Sequence, residues 1–186
     1  MAGAQASGWV ADILRFWFEE LTPAQWFSKD AGLDELIRAR FLGVHERVAA
    51  AQECEFMADP RTALAAVIVL DQFPRNMFRG ASRAFATDAK ALALANEAVA
   101  CGFDAGLSQS ERLFLYLPFE HSEDSTMQAR SAALISALGD PEQTKYAEAH
   151  KAIIERFGRF PHRNAILGRT STAAEDAFLR EPGSSF

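Results

Sequence analysis

The chain has 186 residues, 49% of them hydrophobic and 24% charged, with 25 Asp and Glu against 19 Lys and Arg. That is enough chain for one domain with a real core, and a formal net charge of −6 excludes the broadly basic surface of a duplex-binding protein. No apolar run reaches the roughly 20 residues that span a bilayer, and the opening MAGAQASGWV lacks the basic segment and apolar core of a secretory signal. A soluble, cytoplasmic protein is expected, with no nucleic-acid or membrane partner.

Val10, Ile13, Leu14, Trp17, Phe18 and Leu21 recur at helical spacing, so an amphipathic helix is predicted to open the chain. Thr22-Pro23 supplies a stop and a restart, a cap followed by proline at the first helical position. Trp26 and Phe27 are expected to fold back on the first helix. A second helix carries Leu33, Leu36, Ile37, Phe41, Val44 and Val48 on one side, with His45 at the border of that face and so at the surface. Asp59-Pro60 starts a third helix with Leu64, Val67 and Ile68 inward. Gly80–Ala86 reads as a loop, and Thr87-Asp88 as the cap of an alanine-rich fourth helix over Ala89–Cys101, stopped by a left-handed Gly102. Cys54 and Cys101, the two cysteines, read as reduced packing residues.

Ser108-x-x-Glu111 has the form of a capping box and leads into the apolar segment Leu113–Phe119, the expected centre of the core, where Pro118 should kink or end the helix. Asp124 or Ser125 caps the next helix, with Met127, Leu134, Ile135 and Leu138 inward, and Gly139 ends it. Asp140-Pro141 begins a helix running to about Phe157, closed by Gly158, and Thr172-x-x-Glu175 is a second capping box. No stretch alternates with period two, so no strand is predicted. The expected fold class is all-α, with roughly seven to nine helices in antiparallel pairs. A single domain is expected over residues 1–186, with 181–186 a loosely held tail.

Several polar residues do not suit a plain helical bundle. Asp71 continues the inward face of Leu64 and Ile68 near the expected end of its helix, where the macrodipole disfavours a carboxylate, so it needs a cation. Arg75 is the nearest, with Arg79 or the basic stretch beyond Arg156 as alternatives. Such a pair either ties the helix end to the C-terminal region or floors a pocket. His150 shares an inward stripe with Tyr146, Ile153 and Phe157. His121 and Glu123 follow Pro118 closely, and if the backbone there is irregular both can aim the same way. A histidine oriented by a carboxylate suits acid, base or donor roles. The spacing is a poor metal signal, and no metal ligand set or cofactor is assigned. Phe157–Thr172 packs Arg159, His162, Arg163, Asn164 and Arg169 into sixteen residues. Arginines suit carboxylate or phosphate, Asn164 either caps a turn or meets a ligand, and Arg169 precedes a cap region able to hold an anion.

LDQFPRNMFRG (Leu70–Gly80), AFATDAKALA (Ala84–Ala93), LPFEHSED (Leu117–Asp124) and FGRFPHRNAILGRTSTAAE (Phe157–Glu175), with the early FWF and TPAQWF segments, resemble the hallmark blocks of the bacterial domain of unknown function 924 family. The resemblance covers nearly the whole chain in the same order. It implies a tetratricopeptide-repeat-like superhelix and supplies no activity. The family's usual blocks are present at Asp71, Arg75, Asn76, His121, Glu123, Arg159, His162, Arg163 and Asn164.

Two functional expectations follow. In the first, Asp71, Arg75, Asn76, Arg159, Arg163, Asn164 and Arg169 hold a small anionic metabolite, and His121, Glu123, His150 and His162 carry acid–base chemistry. In the second, the helices form a groove for a peptide or protein partner and the polar blocks serve structure, an expectation resting on fold analogy alone.

Overall fold

Proline and short polar caps decide where most helices begin in the computed structural model, which describes residues 3–184. The α-helices are α1 (Gly3–Arg15), α2 (Pro23–Trp26), α3 (Ala31–Ala50), α4 (Pro60–Val67), α5 (Phe73–Met77), α6 (Asp88–Ala100), α7 (Gln109–Glu120), α8 (Ser125–Ser136), α9 (Pro141–Phe157) and α10 (Ala173–Phe178). Asp30, Asp59, Asp124 and Asp140 each accept two backbone N–H groups at the starts of α3, α4, α8 and α9, neutralising donors that a helix start leaves over. Ser108 and Thr172 form the expected capping boxes with Glu111 and Glu175. No strand occurs among the described residues, so the expected all-α class is what the chain adopts.

The element that places the polar site is the path from α4 to α5. Residues Ile68–Gln72 form a π-helical turn between them, and the backbone stays helical throughout. Asp71 therefore lies inside a continuous helical path rather than near a helix end as expected. The wide turn sends the Phe73 N–H to the Ile68 carbonyl, so the Val69 carbonyl loses its usual partner four residues on. Pro74 has no N–H, so the Leu70 carbonyl loses its partner too. A buried orphan carbonyl is costly, and two side chains from other helices meet the need. His45 Nδ1 donates to Val69 O at 3.1 Å and Thr87 Oγ1 to Leu70 O at 2.6 Å. This is why His45 is buried, against the surface position its neighbours suggest, and why Thr87 makes no cap bond to α6.

Around this path Trp17, Phe41, Phe73 and Phe114 build the aromatic centre of the main core. Trp17 meets Phe114 edge-on at 5.3 Å and Phe41 stacks on Phe73 at 5.1 Å between ring centroids. Trp26 folds back as expected and donates its indole N–H to the Trp17 carbonyl at 2.7 Å. Helices α7, α8 and α9 pack in succession, and a smaller apolar cluster of Ile153, Ile154 and Phe160 covers the far side of α9.

Other expectations need correcting. Leu36 and Tyr146 are exposed, because each sits at the edge of its helix's apolar stripe. Pro118 lies inside α7 without ending it, and the helix runs on to Glu120. Cys54 and Cys101 are free but exposed rather than packed, since Cys54 lies in the short 3-10 helix Glu53–Phe56 and Cys101 just past the end of α6. In the C-terminal tail Ser184 is buried and donates to the Leu179 carbonyl at 3.2 Å, whereas Phe186 lies outside the described residues.

Candidate functional site

The π-helical turn aims Asp71 at the end of α7. Its side chain is fully buried, and one carboxylate oxygen receives His121 Nδ1 at 2.8 Å while the other receives Gln72 Nε2 at 2.6 Å. Arg75 Nη1 lies 3.4 Å from the first oxygen. Burial pushes the carboxyl up, but the Arg75 charge, His121 and Gln72 outweigh it and hold Asp71 below the usual carboxylate range. An ionised carboxylate can only accept, so Nδ1 of His121 carries the proton and Nε2 is its basic atom. Burial and the Arg75 charge hold His121 below the ordinary imidazole range, against the pull of Asp71. The carboxylate that orients His121 is therefore Asp71 rather than the neighbouring Glu123.

Arg75 continues to Asp88 in a two-pronged pair at 2.9 and 3.0 Å. On the other side of Asp88, Arg163 Nη1 lies 3.5 Å away and also donates to the His121 carbonyl at 3.0 Å. Its guanidinium lies over Phe160 at 4.5 Å and Phe85 at 4.7 Å, and its Nε is buried with no hydrogen-bond partner among the described residues. Burial and the Arg75 charge lower Arg163 to about 10. The Phe160 ring is shared by two more imidazoles, His150 and His162, each at 5.6 Å.

His150 Nδ1 faces the Tyr146 carbonyl at 2.9 Å, which fixes Nδ1 as the protonated nitrogen. Burial drives His150 down to about 3, helped by the charges of His121, Arg163 and His162. His162 falls to about 4, again by burial and then by Arg163. Glu120, at the last turn of α7, sits 3.4 Å from His150 Nδ1. That is ion-pair distance, yet burial and the negative Asp71 raise Glu120 to about 8. Both partners are uncharged near neutral pH, so the contact joins two neutral groups.

Asp71, Arg75, His121, His150, His162 and Arg163 thus converge, from the π-helical turn, α5, the end of α7, α9 and the loop after it. The remaining candidates serve differently. Asn76 donates to Asp34 at 2.8 Å, beside the Arg79–Asp34 pair, and ties α5 to α3. Arg159 clasps Glu175 through two bonds at 2.6 and 2.7 Å, so the anion at the start of α10 is the protein's own. Arg169 grips Glu123 at 2.6 and 2.9 Å, and Glu123 also accepts the Phe160 N–H at 2.8 Å. Burial pushes Glu123 up, but Arg169 and that N–H bring it below its ordinary value. Asn164 accepts from Arg169 Nε at 2.9 Å and donates to Ser171, holding the loop rather than capping a turn.

Glu120 and Asp88 belong to the cluster and were not singled out from the sequence. The one signal for Glu120 is a charge closing the apolar run LFLYLPF, and Asp88 reads from the sequence only as part of the cap of the fourth helix. An open groove of ≈ 580 Å³ elsewhere is lined by Ala51, Cys54, Lys90 and Glu97 among others, but its lysine donates to the carbonyls of Val48, Ala49 and Ala51 and is occupied in capping α3. Among the described residues no group of three or more His, Cys, Asp and Glu could hold a metal ion, and no helix is long and apolar enough to cross a membrane.

A solved structure of a protein of unknown function, ATU0120, from Agrobacterium tumefaciens superposes with a TM-score of 0.89 at 40% sequence identity, over 94% of this chain and 98% of that one. No curated protein matches the chain. The profile of the family described as "Bacterial protein of unknown function (DUF924)" matches residues 13–183, and the chain belongs to that family.

Proposed function

We propose that the protein binds a small anionic metabolite at this cluster and acts on it by acid–base chemistry. The observation that carries the reading is the buried Asp71–His121 pair at 2.8 Å. A carboxylate that fixes the tautomer of an imidazole makes the opposite nitrogen a proton acceptor of defined direction. His162, beside the same Phe160 ring as His150, is the second proton-handling group. Arg163 receives the anion, because Arg75, Arg159 and Arg169 each hold a carboxylate of the protein at 2.9, 2.6 and 2.6 Å, whereas Arg163 lies 3.5 Å from Asp88 and its buried Nε–H has no partner among the described residues.

The test compares wild type with His121→Ala, His162→Ala and the remote Arg79→Ala by thermal unfolding, with and without small carboxylates and phosphate monoesters. At least one anion class raises the wild-type and Arg79→Ala midpoints, and both histidine variants lose that rise. If no anion moves the wild type, or the histidine variants respond fully, the reading fails.

A further inference from the structure

The Asp71–His121 pair is held from both sides by glutamines. Helices α6, α8 and α9 are each followed within three residues by a glycine at positive φ, Gly102, Gly139 and Gly158, a common way to satisfy the last carbonyls of a helix. No glycine lies between α7 and α8, so the carbonyls at the end of α7 need other donors. Gln128, fully buried on α8, donates its amide N–H groups to the carbonyls of Glu120 and Ser122, both at 2.6 Å. Arg163 Nη1 takes the His121 carbonyl between them at 3.0 Å. Carbonyls only accept, so the Gln128 amide has one orientation, and the backbone on both sides of His121 is pinned. On the other partner, Gln72 Nε2 donates to the second oxygen of Asp71 at 2.6 Å. Adjacent residues on a regular α-helix do not face one another; in the π-helical turn these two do. A carboxylate can rotate about its last bond and exchange its oxygens. The Gln72 bond opposes that rotation and leaves the first oxygen to His121 and Arg75. Against the burial that pushes Asp71 up, Gln72 joins Arg75 and His121 in favouring the ionised form, the form that can only accept.

We infer that Gln72 and Gln128 are the positioning residues of the Asp71–His121 pair: Gln72 sets the carboxylate, and Gln128 sets the backbone from which the imidazole projects. His121 then keeps one tautomer, with Nε2 as its proton acceptor. This deepens the reading of the pair as the acid–base centre and rests on it. Acid–base groups work only within a narrow range of distance and angle, and they hold it when their own rotamers are locked by neighbouring hydrogen bonds. Both glutamines act through the pair. A glutamine that did no more than cap α7 would contribute stability and leave the ring of His121 indifferent to its loss.

Nitrogen-15 NMR of the folded proteins near neutral pH separates positioning from capping. In wild type, His121 is expected as a single tautomer protonated at Nδ1. Gln128→Met and Gln72→Met, which keep side-chain length and remove the donors, turn that form into a mixture of Nδ1–H and Nε2–H. His45, bonded to Val69 O, keeps its own tautomer throughout. Tyr116→Phe is the control: it lies on α7, loses a 2.6 Å bond to Asp104 and lowers stability, yet leaves His121 as in wild type. Should Gln128→Met fail to fold, Gln128→Asn keeps a buried amide that is one methylene too short to span both carbonyls, and gives the same mixture. A single Nδ1–H tautomer in the variants of either glutamine, whatever their stability, overturns that glutamine's role and leaves the small-molecule reading intact. The mixture appearing in Tyr116→Phe as well overturns the assignment of Gln128, because any loosening of α7 then suffices. A mixture confined to the glutamine variants, with no anion moving the wild-type unfolding midpoint, supports the positioning role and overturns the anion reading alone.

Discussion

Glu120 and the histidines pull stability in opposite directions as pH changes. His45, His121, His150 and His162 all sit below the ordinary imidazole range in the folded chain. The unfolded chain therefore binds their protons first, and stability rises with pH from about 4 to about 6.5. Glu120 is an acid raised from 4.5 to about 8. Its folded form keeps a proton that the unfolded form gives up, so its contribution falls across that interval. Four bases outweigh one acid on the acidic side, and Glu120 dominates these groups on the other. Urea denaturation from pH 5 to 9 is expected to show greatest stability near about pH 6.5, with a decline of about 1–2 kcal/mol by pH 8. Glu120→Gln removes the decline; a variant that declines as wild type does contradicts the assignment. At this scale the sequence marked His121 as oriented by a carboxylate but offered Glu123, two positions away. The true partner, fifty positions back, is invisible to spacing along one helix.

Between helices, the decisive feature is the π-helical turn before Pro74 and the two side chains that satisfy its freed carbonyls. Thr87→Val keeps the shape and removes the hydroxyl, leaving Leu70 O unsatisfied, and is expected to cost about 1–3 kcal/mol in urea denaturation. Pro74→Ala restores an N–H within reach of that carbonyl, so the cost of Thr87→Val shrinks in its presence; strictly additive costs contradict this account. Caps such as Asp59-Pro60 and Asp140-Pro141 were legible because the residues that make them are adjacent. The π-helical turn was not, since what sustains it comes from α3 and the start of α6. His45 looked like a surface residue for the same reason.

Across the whole molecule, two kinds of polar contact had been indistinguishable in the sequence. Arg159–Glu175 and Arg169–Glu123–Phe160 lock the C-terminal loop to α10 and to the turn after α7, and Asn76–Asp34 locks α5 to α3. Asp71–His121, Glu120, His150, His162 and Arg163 form the other kind, where neutral imidazoles and a neutral acid share a buried space. The dense block Phe157–Thr172 contributes to both, so its composition marked an important region without separating the roles of its residues. All-α architecture was readable from periodicity and caps, and the meeting of α7, α9 and the following loop required three dimensions.

The most direct measurement is nitrogen-15 NMR of the histidine side chains and the Arg163 Nε–H during titration with the small carboxylate or phosphate monoester that binds most tightly. The account predicts that His121, His162 and Arg163 signals move together along one binding curve while His45, occupied with Val69, stays still. Signals that do not move, or a shift of His45 as large as that of His121, would contradict a ligand site at this cluster.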